Sequence, residues 1–146
     1  MDKILIVEDD VDMCNLLSDI FKEEGFLTDK AHDGKSAIMK IKRHKYDLMI
    51  LDYKLPGSSE LTILEEAKQI RPKLMVMMIS AYGNEYIKAK AKELGAIGFL
   101  DKPFDVKKLV RKVKNILAKK NKTRLTAPHR KAKKRNPNER RKKPCQ

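Results

Sequence analysis

Short, unbroken apolar runs alternate along the chain with stretches in which apolar residues recur every three or four positions. Three runs are rich in Ile, Leu, Val and Met, a pattern typical of strands buried on both faces; they lie at 3–7, 48–51 and 74–79. Two weaker segments, 26–31 and 98–100, complete a set of five predicted strands. The helical spacing predicts five helices, which centre on 16–21, 37–41, 61–70, 87–94 and 106–117.

The alternation of strands and helices predicts the fold class. Five strand–helix units within about 118 residues require right-handed crossovers, and these give a parallel sheet with helices on both faces. We predict a flavodoxin-like (βα)5 doubly wound α/β domain with strand order 2-1-3-4-5. No internal repeat is visible in the sequence.

The hydrophobic period stops at Ala118, and the segment beyond it is a run of Lys, Arg and Asn interrupted by prolines. We therefore predict a domain over 1–118 and a basic, disordered tail over 119–146. The chain has a net charge of +14, of which +12 belongs to 118–146 and +2 to 1–117. The tail is open to two interpretations: a solvated extension, or a weak, non-specific binder of nucleic acid or another polyanion. It lacks aromatic residues that would stack on bases.

Several classes of protein are excluded by composition. The longest apolar run has six residues, far short of a membrane span, so no membrane partner is expected. The N-terminus passes from Lys3 into a strand-like run without the pattern of a signal peptide. Cys14 and Cys145 are too few for a disulfide framework or a metal cage. We therefore expect a cytoplasmic protein.

Polar residues of complementary chemistry follow four of the predicted strands. Because the carboxyl ends of parallel strands lie at one edge of a sheet, where ligands bind, these residues should converge. They comprise a carboxylate cluster, a lone carboxylate, a hydroxyl and an ammonium, contributed by Glu8-Asp9-Asp10, Asp52, Ser80 and Lys102.

This set of groups suits phosphoryl chemistry on a carboxylate. Asp52 is placed as a nucleophile that carries a phosphoryl group as an acyl phosphate. Glu8 and Asp9 beside it, with the backbone carbonyl of Lys54, would form an oxygen-ligand site for Mg²⁺. Lys102 would supply a point charge for the phosphoryl oxygens, and Ser80 a hydroxyl that reorients toward them.

Each of these residues also has an ordinary structural interpretation. Acids after a strand often cap the next helix, as Asp10 or Asp12 would do here. Asp52 alone resembles a turn residue, and Lys102-Pro103 alone resembles a strand-to-helix turn. A phosphatase-type enzyme with Asp52 as nucleophile is a further alternative, but it needs a general acid two residues later, where the chain has Lys54.

Four stretches together resemble the receiver domain of bacterial two-component response regulators over residues 2–118. They read KILIVEDD, LDYKLPG, ISAYG and GAIGFLDKPF, at 3–10, 51–57, 79–83 and 95–104. Among family members the chain is most similar to the stand-alone type, such as the sporulation phosphorelay intermediate or the chemotaxis regulator.

The resemblance implies a role for each residue of the set. Asp52 would be the phosphoacceptor, receiving its group from a phosphohistidine on a sensor histidine kinase or histidine phosphotransferase. Glu8 and Asp9 would be the acidic pair, with Asp9 the direct Mg²⁺ ligand, and Lys102 the family's lysine. Ser80 would be the switch hydroxyl and Phe99 the switch aromatic.

The resemblance also implies how the domain would signal and reset. Phosphorylation would bias a two-state surface over residues 84–118, which docks an unknown downstream protein. The Lys102-Pro103 peptide is expected to be cis. The domain would hydrolyse its own acyl phosphate, tuned by Lys54 and Tyr82, without being a conventional enzyme.

The chain departs from the family pattern at three positions. Glu8 replaces the commoner Asp, Ser80 replaces the commoner Thr, and Glu60 stands where Gly is usual, which affects the loop before it. Two functions remain open: a phosphoacceptor switch that acts through protein docking, and a receiver-gated nucleic-acid binder that acts through the tail.

Overall fold

The computed structural model describes residues 1–53, 60–81 and 83–126. Five strands alternate with five helices along this part of the chain. In order they are β1 Lys3–Val7, α1 Val11–Glu23, β2 Leu27–Ala31, α2 Gly34–Arg43, β3 Leu48–Tyr53, α3 Glu60–Ile70, β4 Met75–Ser80, α4 Glu85–Glu93, β5 Gly98–Asp101 and α5 Val106–Thr126.

The strands form one parallel sheet in the order β2-β1-β3-β4-β5, which confirms the predicted flavodoxin-like topology. β3 lies at the centre, with Leu51 in register with Val7 of β1 and with Met78 of β4. The order in which successive strands are added to the sheet changes sense between β1 and β3. Sheets of this class bind ligands in the crevice at such a switch point.

The core explains why three strands were easy to recognise in the sequence. From Ile4 to Val7 in β1 and from Leu48 to Leu51 in β3, every side chain is buried, as are those from Val76 to Ser80 in β4. Because both faces of these strands are covered, they show no polar alternation. β2 lies at the sheet edge and is buried only at Ala31, which accounts for its weaker sequence signal.

Helix boundaries follow from local side-chain chemistry. The Asp10 carboxylate accepts a hydrogen bond from the Met13 backbone N–H at 3.1 Å and caps α1, which confirms the capping role considered for this residue. Asp33 and Asn84 cap α2 and α4 in the same way. Gly95 follows α4 with φ of 109°, a left-handed conformation that glycine adopts without strain.

A polar network joins β1, β2 and the segment just before β3. The Tyr46 hydroxyl donates to Asp29 at 2.7 Å, and the Lys3 ammonium lies 3.4 Å from the same carboxylate. Burial alone would raise the pKa of Asp29, but the Tyr46 hydrogen bond and the charge of Lys3 outweigh it and hold that pKa below its ordinary value. Burial and the adjacent carboxylate raise the pKa of Tyr46.

α5 extends to Thr126, eight residues beyond Ala118, where the sequence pattern predicted that the ordered domain would end. Residues 119–126 are mainly good helix formers, and the first proline after them is Pro128. Two compact units, 1–110 and 111–146, divide within this helix. The predicted disorder of the tail beyond Thr126 lies outside the described residues, and the limits 1–118 and 119–146 stay a prediction.

None of the described helices combines the length and apolar character that crossing a membrane requires.

Candidate functional site

Three carboxylates converge at the carboxyl edge of the sheet. Glu8 and Asp9 follow β1, and Asp52 is the fifth residue of β3, in register with Ile79 of β4. One carboxylate oxygen from each of the three acids lies within 4.8 Å of the other two. The sequence therefore predicted their convergence correctly.

The cluster is buried on one side and open on the other. Glu8 is 3% and Asp52 5% exposed, whereas Asp9 is exposed. Two carboxylates separated by 4.8 Å repel each other by about 3.5 kcal/mol at an effective dielectric constant of about 20. A buried arrangement of this kind needs compensating positive charge, and three carboxylate oxygens are the donors that a hard divalent cation prefers.

Lys102 supplies part of that charge. Its ammonium Nζ lies 2.8 Å from Asp52 Oδ2 and 3.7 Å from Glu8 Oε1. Its backbone N–H donates to the Ser80 carbonyl at 2.8 Å, which fixes the chain as it leaves β5. The Lys102-Pro103 peptide is cis, as the sequence resemblance implied. One ammonium against three carboxylates leaves the site with a formal charge of −2.

Glu8 is held by its own neighbours in addition to Lys102. Its Oε2 accepts from the Asp10 backbone N–H at 2.9 Å, and its backbone N–H donates to the Ala31 carbonyl at 3.0 Å. His32 Nδ1 donates to the Glu8 carbonyl at 3.0 Å, an interaction that sequence reasoning missed. These contacts position the backbone that carries both Glu8 and Asp9.

Ser80 and Phe99 lie on β4 and β5, which are neighbours in the sheet. Ser80, the last residue of β4, is fully buried and in register with Tyr53 of β3 and Asp101 of β5. Phe99 is half-buried on β5, in register with Met78. Ser80 thus lies on the strand next to the one that bears Asp52, and Phe99 lies one strand further out.

The Phe99 ring is enclosed by groups that the sequence did not indicate. A Cβ placed on Gly83 would come within 2.7 Å of the ring, so glycine is needed there for the ring to keep its position. The Lys88 ammonium of α4 lies 5.8 Å from the ring centroid and 2.9 Å from Asp101 Oδ2. Lys88 therefore connects α4 to both Phe99 and Asp101 of β5.

Two predicted participants cannot be placed. Lys54, whose carbonyl was expected to ligate the cation, and Tyr82, expected to tune hydrolysis, lie outside the described residues. The shape of the loop before Glu60, which the sequence left in doubt, also falls there. Their roles stay predictions.

Comparison with known proteins places this site in a family. Residues 4–114 match the model of the response regulator receiver domain. The chain is 36% identical over 116 residues to sporulation initiation phosphotransferase F of Bacillus subtilis, covering 80% of this chain and 94% of that protein. It spans about half the length of several further curated relatives, which are named as transcriptional regulators.

Solved structures show the same fold. A CheY-like receiver domain protein from Methanospirillum hungatei superposes with a TM-score of 0.79 at 27% identity, over 84% of this chain and 98% of that one. The response regulator TrrA of Thermotoga maritima, in complex with Mg²⁺-BeF, superposes with a TM-score of 0.69 at 31% identity, over 79% of this chain and 98% of that one.

Proposed function

The chain belongs to the response regulator receiver domain family, and we propose that it accepts a phosphoryl group on Asp52 from a phosphohistidine of a partner protein. The observation that carries this proposal is the environment of the Asp52 carboxylate. It is 5% exposed, lies 2.8 Å from the Lys102 ammonium and has two further carboxylates within 4.8 Å. Receiver-domain homologues are response regulators of two-component and phosphorelay systems.

Glu8, Asp9 and Asp52 fit a Mg²⁺ ion, because their oxygens are close together, acidic and open to solvent on the Asp9 side. Bound there, Mg²⁺ would neutralise negative charge between the Asp52 carboxylate and the incoming phosphoryl group. The Mg²⁺-BeF complex of TrrA supports the choice of this cation.

The side chains of this protein would then act in the transfer as follows. An Asp52 oxygen attacks phosphorus, the new O–P bond forms, and the P–N bond to the donor imidazole breaks. The Lys102 ammonium, now paired with Asp52, shifts to the phosphoryl oxygens and holds them. Burial of Asp52 and Glu8 limits access of water to the reacting carboxylate.

The signal would pass from the phosphoryl group to β4 and β5. The Ser80 hydroxyl would turn toward the phosphoryl oxygens, and Phe99 would move into the space vacated, which biases the surface of α4 and β5 between two states. The partners that fit this scheme are a histidine kinase or phosphotransferase upstream and a protein docked on that surface downstream. Water would later hydrolyse the acyl phosphate, and the proposed setting is the cytoplasm.

Intact-protein mass spectrometry after incubation with acetyl phosphate and Mg²⁺ tests the proposal. We expect one added phosphoryl group, lost when the divalent cation is chelated and absent from Asp52→Asn. Asp19→Asn, which removes an exposed carboxylate of α1, is the matched control and should be labelled like the wild type. Labelling of Asp52→Asn, or none of the wild type under any metal condition, would contradict the proposal.

A further inference from the structure

The charge of the chain changes sign where its two compact units divide. Residues 1–110 hold 18 basic and 19 acidic residues, a net charge of −1. Residues 111–146 hold 16 basic residues and one acid, a net charge of +15. The division lies inside α5, so the basic part of the chain begins within an ordered helix, before the predicted tail.

Four cations of the described part of the second unit lie on one side of α5. Arg111, Lys112, Lys114 and Lys119 are all exposed, and the sequence from 111 to 126 contains no acid. The apolar residues Val113 and Leu117 are buried, so they do not share that exposed side. From Arg111 to Lys119 the exposed cations extend over about 12 Å of helix.

The composition of this surface selects among negatively charged partners. An amphipathic helix that binds a lipid surface inserts apolar side chains, but the exposed side of α5 from Arg111 to Lys119 offers only Ala118. A protein partner is usually anchored by Trp, Tyr or Arg, and of these residue types 111–146 contains Arg alone. The same lack of aromatics disfavours stacking on unpaired bases.

We infer that the basic face of α5, formed by Arg111, Lys112, Lys114 and Lys119, binds the phosphate backbone of duplex nucleic acid without sequence preference. Duplex DNA carries one negative charge per about 1.7 Å of axis, so 12 Å of helix faces several phosphates. Binding would be driven by release of counterions and would need no base contacts. This surface differs from the phosphoacceptor site and does not require phosphorylation of Asp52.

The test uses the full chain and a fluorescent duplex of random sequence, with anisotropy measured from 50 to 300 mM salt. The triple variant Arg111→Gln, Lys112→Gln, Lys119→Gln removes three charges and keeps good helix formers. The matched control, Lys35→Gln, Lys42→Gln, Lys73→Gln, removes three charges that are likewise exposed, from the first unit. Both variants therefore have the same net charge.

We expect the α5 variant to bind at least about tenfold more weakly at 50 mM salt, with a slope of log affinity against log salt reduced by about 2.7, whereas the control resembles the wild type. Circular dichroism of both variants establishes that they are folded. Equal losses in the two variants would show a response to net charge alone and would overturn the inference. So would unchanged binding by the α5 variant, or tighter wild-type binding to phosphatidylglycerol vesicles than to the duplex.

Discussion

The charge balance around Lys102 leads to a quantitative prediction about stability. At an effective dielectric constant of about 20, its ammonium attracts Asp52 at 2.8 Å by about 6 kcal/mol and Glu8 at 3.7 Å by about 4.5 kcal/mol. Desolvation of the three groups offsets most of this gain. Breaking a buried pair by removing one partner costs about 3–5 kcal/mol, and we take the lower end because the Lys102 side chain is 27% exposed.

Lys102→Met, which keeps an unbranched chain, should therefore lower the free energy of unfolding by about 3 kcal/mol in metal-free buffer. Asp52→Asn should be nearly neutral, because the attraction to Lys102 that it loses is matched by relief of repulsion from Glu8 and Asp9, which is about 3.5 kcal/mol each at the 4.8 Å limit of their separation. In the Asp52→Asn background the same lysine substitution should cost only about 1 kcal/mol, a coupling of about 2 kcal/mol.

Urea unfolding followed by circular dichroism measures all four proteins of this cycle. Saturating Mg²⁺ should restore much of the stability of Lys102→Met and less of that of the double variant. Lys73→Met, at an exposed position, is the control for the loss of a lysine as such. If Lys102→Met costs under 1 kcal/mol, or the same in both backgrounds, then the ammonium does not balance this cluster and the electrostatic reasoning is wrong.

Three further predictions concern the hydrogen bond from Tyr46 to Asp29, the space around the Phe99 ring, and Mg²⁺ binding at the carboxylate cluster. Tyr46→Phe should raise the depressed pKa of Asp29 and lower the free energy of unfolding by about 1 kcal/mol at pH 7. The stabilisation that the hydrogen bond gives to ionised Asp29 is lost as pH falls through the native pKa of this group. Urea unfolding should therefore show the difference between wild type and variant shrinking toward pH 3. Gly83→Ala should cost about 1–3 kcal/mol in urea unfolding, and less in a Phe99→Leu background. Mg²⁺ at ten times its Kd should add about 1.4 kcal/mol of stability and raise Tm, an effect that Asp9→Asn should abolish in thermal unfolding and K⁺ should not reproduce.

The fold was predictable because the hydrophobic pattern and the burial agree strand by strand. The apolar runs at 3–7 and 74–79 predicted strands buried on both faces, and β1 and β4 are buried in this way. β2 lies exposed at the sheet edge, and its sequence pattern is correspondingly weak. α5 continues to Thr126, further than its apolar periodicity alone indicates. Lys and Arg are good helix formers and continue a helix without an apolar partner.

The site was predictable only as far as strand ends determine it. Glu8 and Lys102 directly follow a strand and Asp52 is the last residue but one of β3, so the topology alone brings them together. The contact of His32 with the Glu8 carbonyl and that of Lys88 with Asp101 depend on how loops and α4 are oriented, which no local pattern encodes.

The formal charge of the site explains why its cation and its phosphoryl group should act together. Glu8, Asp9 and Asp52 with Lys102 sum to −2, so a divalent cation brings the cluster to neutrality. Conversion of the Asp52 carboxylate to an acyl phosphate adds further negative charge and oxygen ligands at the same place. Because linkage is reciprocal, phosphorylation should tighten Mg²⁺ binding by the same factor by which Mg²⁺ favours the phosphorylated state. A Mg²⁺ titration of the protein should therefore give a lower Kd in the presence of beryllofluoride, which mimics the phosphoryl group, than in its absence. Equal Kd values would show that Mg²⁺ binding and phosphorylation are not coupled.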